Sequence, residues 1–212
     1  VSDSQHGFVA GRSCTTQLLE VLDKWTKVLD DGGSIDAIYT DMMKAFDTVP
    51  SRLLVSKVEA YGVKGKLLGW IQDFLQGRKQ CVVINGTQSE QAEVVSGIPQ
   101  GSVVGPVLFM IYINDLPRCC ESDVSLFADD AKVFARSDVE GATATLQEDI
   151  DRMQTWSSDW LLRFHPQKCS VLKVGSRKSN ASYSMKGKDD SGEECEIVLP
   201  EAESERDLGI VV

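Results

Sequence analysis

Two apolar runs, Val124 to Ala128 and Ala131 to Ala135, are separated only by Asp129-Asp130. No other feature of the chain restricts its fold as strongly. A two-residue break between strand-like runs fits a tight hairpin. The hairpin carries two adjacent carboxylates at its tip, where Asp is common because its side chain bonds the nearby backbone. Taken alone, this is an ordinary turn, and its meaning depends on what lies beside it.

The flanking pattern supplies partners for that hairpin. Ser13 is placed to cap a helix, and Leu18, Leu22, Trp25 and Leu29 follow at helical spacing until Gly32-Gly33. Ile35 to Tyr39 reads as a short strand leading to Asp41, and Pro50 opens a second helix running to Gly62. Leu67, Leu68, Ile71, Phe74 and Leu75 mark a third helix ending near Gly77. Cys81 to Ile84 and Glu93 to Ser96 read as strands around an Asn85-Gly86 turn. Pro106 opens an apolar run to Ile113, read as a buried helix, although a buried strand would look similar. Ser137-Asp138-Val139-Glu140 matches a capping box. It would start a helix with Val139, Ala142, Leu146, Ile150, Met153 and Trp156 on one stripe. Ser170 to Val174 forms another strand, and the polar stretch 176–194 reads as a loop. Helices mixed with hairpins give an α+β class, with an antiparallel sheet covered by helices on one face.

Composition narrows the function. The 212 residues carry a net charge of −10, of which −4 falls in residues 176–212. Phosphate contacts need Lys and Arg, so this balance argues against tight nucleic-acid binding by these residues alone. The six cysteines include no C-x-x-C pair, which points to reduced thiols in an intracellular protein. No secretory signal is visible, and the longest apolar stretch, Val103 to Ile113, is too short to span a bilayer. The start at Val1 rather than Met suggests a fragment or a processed product.

If the strand before Asp41 lies beside the Asp129-Asp130 hairpin, three acids converge at one edge of a sheet. Nucleotidyl transfer needs such a cluster. The attacking hydroxyl and the leaving pyrophosphate both develop negative charge, and two Mg²⁺ ions roughly 3.5–4 Å apart stabilise both oxygens. Mg²⁺ takes oxygen ligands and keeps waters, so a few carboxylates suffice.

Ordered motifs along the chain carry a family resemblance. Tyr39-Thr40-Asp41-Met42-Met43-Lys44-Ala45-Phe46-Asp47-Thr48-Val49 resembles motif A of non-LTR, LINE-type reverse transcriptases. Ser96-Gly97-Ile98-Pro99-Gln100-Gly101-Ser102-Val103-Val104-Gly105-Pro106 resembles motif B, and Phe127-Ala128-Asp129-Asp130 resembles motif C. Gln5-His6-Gly7-Phe8 with Gly11-Arg12-Ser13 resembles the segment just before motif A. His165-Pro166-Gln167-Lys168-Cys169 resembles motif D, and Asp207-Leu208-Gly209 the palm-to-thumb junction. Each tripeptide is weak, the ordered set is specific, and the jockey-like group is the nearest in character.

The resemblance implies an α+β polymerase palm with partial fingers and no complete thumb. Residues 1–175 would be palm with a remnant of fingers, and 176–212 an acidic loop and the start of the palm–thumb junction. It implies RNA-directed DNA polymerase activity, with dNTPs joined to a primer 3′-hydroxyl. Asp41, Asp129 and Asp130 would be catalytic carboxylates and, with the Met42 carbonyl, metal ligands for two Mg²⁺, with Mn²⁺ able to substitute. Phe46 would exclude a 2′-hydroxyl, Gln100 and Gly101 would line the nucleotide pocket, and Lys168 would lie near the triphosphate. Leu208 and Gly209 would touch the primer end. Implied partners are an RNA template, a DNA primer and dNTPs, with no membrane; fingers ahead of Val1, a thumb after Val212 and an endonuclease would complete the protein. Val9-Ala10 and Met42-Met43 depart from the usual pattern without removing a carboxylate. Two other readings stay open: a catalytically inactive retrotransposon relic or interaction module that keeps the fold, and another palm enzyme such as a nucleotide cyclase.

Overall fold

The computed structural model describes residues 1–188 and 191–212. In chain order, the larger elements are α1 (Cys14–Asp30), β1 (Ser34–Thr40), α2 (Ser51–Ala60), α3 (Gly65–Leu75), α4 (Val104–Ile113), β2 (Asp123–Phe127) and β3 (Asp130–Arg136). They continue with α5 (Ala142–Asp159), β4 (Ser170–Gly175), β5 (Ser184–Lys188), β6 (Glu194–Val198), β7 (Glu201–Ala202), β8 (Arg206–Asp207) and β9 (Ile210–Val211). The class is α+β, as expected.

The main sheet has the order β7-β4-β1-β3-β2. Its β4-β1, β1-β3 and β3-β2 pairings are antiparallel. The edge strand β7 departs from the expected pattern and runs parallel to β4. A second departure concerns cover. Ile35 and Ala37 of β1, with Phe134 and Leu172, pack under Val21 and Trp25 of α1. Ile38 of the same strand turns the other way, joining Leu126, Val133 and Val171 against Ile150, Met153 and Trp156 of α5. Side chains alternate across a strand, so helices cover both faces rather than one. Fully burying a side chain such as Ile38 stabilises by about 1.5–3 kcal/mol. The Trp25–Phe134 edge contact, at 5.8 Å between centroids, fastens the smaller layer.

α1 starts as read: Ser13 and Thr16 form reciprocal capping bonds. Its buried stripe is rotated, with Leu18, Val21 and Trp25 inside and Leu22 partly exposed. The apolar run after Pro106 is helical, and Leu108, Phe109, Tyr112 and Ile113 are buried. Lys57 of α2 reaches into this layer, donating to the Tyr112 carbonyl at 2.5 Å and pairing with Asp115 at 2.6 Å. Burial lowers its pKa below the usual lysine value, opposed by the Asp115 hydrogen bond.

Three local expectations fail. Val83–Ile84 pairs across Asn85-Gly86 with Thr87–Gln88, while Ala92–Glu93 pairs with Lys79–Gln80. Joining Cys81–Ile84 to Glu93–Ser96 therefore skips the true partner, because two-residue pairs leave almost no periodicity. The capping box at Ser137 does not form. Asp138 instead accepts from the Ser34 amide and from Arg136, and α5 begins three residues after Val139 behind Gly141 at φ 81°. Finally, 176–194 is not simply a loop: Ser184–Lys188 pairs with Glu194–Val198. Its alternation is carried by Met185 and Ile197 within a polar sequence, too faint to separate from turn composition.

Candidate functional site

β1 ends at Thr40, whose partner on β3 is Ala131, so continuing the register places Asp41 level with Asp130. β2 and β3 meet at Phe127↔Asp130, leaving Ala128 and Asp129 as the turn between them. The three acids thus come to the same end of the sheet, as the sequence reading required. Alternation puts Asp130, Lys132 and Phe134 on the face that α1 covers, together with Tyr39. α1 covers only the far part of that face. Its near end, at Gln17, borders a cavity lined by Asp41, Asp130, Lys168 and Leu208 with Tyr39, Lys132 and Asp207. Asp129 is not among the residues lining it.

The electrostatics of this end are unfavourable to bare carboxylates. The Asp129 carboxyl is raised above the usual carboxylate value by burial, partly opposed by a bond from its own backbone, with the Asp41 charge adding to the rise. The Asp130 carboxyl is raised by burial and then by the charges of Asp129, Asp41 and Asp207, against Lys132. Asp130 still keeps access to solvent, so the desolvation is one-sided. One cation is already at hand: the Lys168 ammonium lies 3.5 Å from the Asp41 carboxylate, both well exposed. Such a pair holds little energy and is readily displaced.

Met42 is buried and bridged to Phe164. That bridge uses the Asp41 carbonyl, which accepts from the His165 amide, and the Met43 amide, which donates to Arg163. The Met42 carbonyl takes part in neither bond. A divalent metal fits the donor types here, because carboxylate and carbonyl oxygens suit Mg²⁺ or Mn²⁺ and crowded charge favours a dication. Among the described residues, however, no group of three or more His, Cys, Asp or Glu is gathered closely enough to hold an ion.

The other expected residues divide. Leu208, at φ 49°, and Gly209, at φ 91°, form the turn between β8 and β9, and Leu208 lines the cavity with Asp41. Gln100 does not reach it. Its amide donates to Asp47 Oδ1 at 2.8 Å, and both line a neighbouring groove with Lys44 and Arg78. Gly101, at φ 77°, has nothing within 4 Å of where a Cβ would stand, so it presents bare backbone to open space. Phe46 stacks on Phe109 at 4.3 Å and packs against the core, while its carbonyl accepts from Ile98.

A model of the reverse transcriptase (RNA-dependent DNA polymerase) family matches residues 1–196. The chain belongs to the reverse transcriptase family. Similar relatives within it are a probable RNA-directed DNA polymerase from transposon BS and the RNA-directed DNA polymerase from mobile element jockey, both of Drosophila melanogaster. The first is 30% identical over 187 residues and the second 29% over 182. The alignments cover 81% and 82% of this chain but only 20% of each relative, so the chain spans about a fifth of their length. The fold resembles a telomerase from Candida tropicalis solved in complex with a fragment of telomeric RNA. That match has a TM-score of 0.59 at 11% identity and covers 91% of this chain and 34% of the other.

Two positions of this reverse transcriptase chain do more than the motifs announced. Asp207 is buried, forms an ion pair with Lys132 and accepts from the Tyr39 hydroxyl at 3.2 Å. Burial and the Asp207 charge push the Tyr39 hydroxyl well above its usual pKa, so it stays a donor. Gly7 lies against the carboxylate turn: a Cβ there would stand 2.3 Å from the Ala128 nitrogen. Its place in the Gln5-His6-Gly7-Phe8 segment is the available signal, but nothing local ties that segment to Ala128.

Proposed function

We propose that this chain is the palm of an RNA-directed DNA polymerase, which extends a DNA primer on an RNA template from dNTPs. The observation that carries this reading is the arrival of Asp41, Asp129 and Asp130 at one end of one sheet, beside a cavity shared with Lys168 and Leu208. Family membership and the jockey-type relatives support it. The residues that would hold divalent metal are Asp41, Asp129, Asp130 and the Met42 carbonyl. Two bound Mg²⁺ or Mn²⁺ ions would supply charge stabilisation at the attacking and leaving oxygens.

The chain's own residues then divide the work. Asp41 and Asp130 set the anionic floor of the cavity. Lys168 pairs with Asp41 until substrate arrives, and its ammonium is then free to turn toward a triphosphate. Phe46 is braced by its stack on Phe109, so its ring resists displacement and can reject a ribose 2′-hydroxyl. Gln100 is held by Asp47 in the adjoining groove, where Gly101 leaves room for close approach of nucleotide or template. The Leu208-Gly209 turn brings Leu208 to the cavity and would carry the primer end. Residues 1–175 form the palm with part of the fingers, and 176–212 lead toward the thumb. Fingers, thumb and endonuclease elsewhere in a longer, intracellular protein would supply the basic surface that a net charge of −10 withholds here. No helix among the described residues is long and apolar enough to cross a membrane.

The test is primer extension on an RNA template by the full-length polymerase carrying this segment. Asp129→Asn is expected to lower kcat by on the order of a thousandfold, the scale of losing charge stabilisation in the transition state. Undiminished extension by that variant overturns the mechanism. Wild-type protein that folds but never extends supports a relic instead.

A further inference from the structure

Ala128 is the residue that aims Asp129, and it stands in the left-handed region at φ 55°, which is strained for an L-residue. Something must hold it there. Gln5 is 123 positions away in sequence and 1% exposed. Its Oε1 accepts from the Ala128 amide at 2.9 Å and from the Gly7 amide at 2.8 Å. Its Nε2 donates to the Ala128 carbonyl at 3.3 Å. One side-chain amide thus satisfies both backbone groups of the strained residue. The clamp is itself fixed. Leu126 exchanges backbone bonds with Ser4 and His6 on either side of Gln5, and Arg12 donates to the Gln5 carbonyl at 2.7 Å.

The chemistry suits this place. Glutamine is neutral, so it grips the turn without adding charge beside three carboxylates. A carboxylate would lose the donor and repel Asp129, and the hydroxyls of Ser and Thr sit on side chains too short to replace the two separate amide atoms. We infer that Gln5 is a positioning residue for the reaction, setting the Asp129 carboxylate through Ala128. The inference rests on the polymerase reading above.

Two readouts in the full-length polymerase test it, using Gln5→Met, which keeps length without polar groups, and Gln5→Asn, which keeps the amide without its reach. The first is extension on an RNA template. A misplaced carboxylate lowers kcat by about 10- to 100-fold, while KM for dNTP moves less than about threefold, because binding groups elsewhere are untouched. Gln5→Asn falls in the same direction by a smaller factor. The second is hydrogen exchange in metal-free protein. The Ala128 amide exchanges about tenfold faster in Gln5→Met while β1 amides keep their protection. If Asp129→Asn abolishes extension but both folded Gln5 variants extend at the wild-type kcat, the inference is overturned. If Asp129→Asn has no effect, the polymerase reading fails, and the exchange experiment still decides whether Gln5 holds Ala128. Should Gln5→Met not fold, Gln5→Asn decides between the outcomes. If neither folds, Gln5 is a folding residue and the positioning role is refuted.

Discussion

The Ala128-Asp129 turn and the Leu208-Gly209 turn each place a non-glycine residue in the left-handed region, at φ 55° and 49°, beside the carboxylates. They are held by opposite means. The first is gripped by the neutral amide of Gln5, with Gly7 pressed against it. The second follows Asp207, whose buried ion pair with Lys132 ties β8 to the strand that carries Asp130. The difference follows from charge. Around Asp129 another anion would raise an already unfavourable carboxyl. Two positions along the strand from Asp130, Lys132 lowers the Asp130 carboxyl while Asp207 raises it, so the ion pair anchors the junction with its two charges set against each other.

The largest test of this contrast removes one partner of the buried pair. Asp207→Ala or Lys132→Ala leaves the other charge stranded, and a cost of about 3–5 kcal/mol is expected from denaturant midpoints. Lys132→Met with Asp207→Leu is expected to recover most of that loss. Single variants costing under about 1 kcal/mol would mean that Tyr39 and local packing hold the junction instead.

A smaller effect distinguishes the two strained residues. Ala128→Gly relieves the left-handed cost and loses only a methyl, against added freedom in the unfolded chain, so a gain of up to about 1 kcal/mol is expected. Leu208→Gly also sacrifices a half-buried side chain, so its net change stays within about 0.5 kcal/mol. Equal gains at both sites would show that strain alone decides, and that the contrast in anchoring is immaterial.

The smallest effect comes from an exposed pair used as a control. Arg136 holds the Asp138 carboxyl down at about 2, and a bond from the Ser34 amide helps. This value lies below the ordinary 3.8, so the carboxylate contributes stability above the ordinary value and loses it as pH falls through about 2. The stability difference between wild type and Asp138→Asn is expected to stay flat above roughly pH 5 and to close toward zero over that window. A difference that persists at low pH would assign the contribution to shape rather than charge.

Much of this is legible from residue pattern. The hairpin that frames Asp129-Asp130, the capped first helix and the buried helix after Pro106 depend on local periodicity, which a sequence displays. The convergence of Asp41 with that hairpin follows from family order and holds in the register. What escapes depends on distant contacts or on polar strands. β1 reads as a short apolar strand, yet Asp36 on its core-facing side is fully buried, accepting from the Tyr183 hydroxyl. A charged residue there hides two-sided burial. Gln5 and Ala128 lie 123 positions apart, and Lys132 and Asp207 75 apart, so neither pairing leaves a local trace. Motif order groups Gln100 with the carboxylates, but its bond to Asp47 keeps it in the next groove.

The sheet has one further property at its carboxylate end: backbone groups on β2 and β4 beside the acids are already claimed by other segments. At the β2 border the Leu126 amide and carbonyl are taken by Ser4 and His6, and at the β4 border Val171 donates to Pro200 where β7 begins. An extended peptide that recruits itself by adding a strand needs unclaimed backbone groups. Next to the acids it finds the Leu126 groups already occupied, so a partner approaching along β2 at this end is met by side chains and shape.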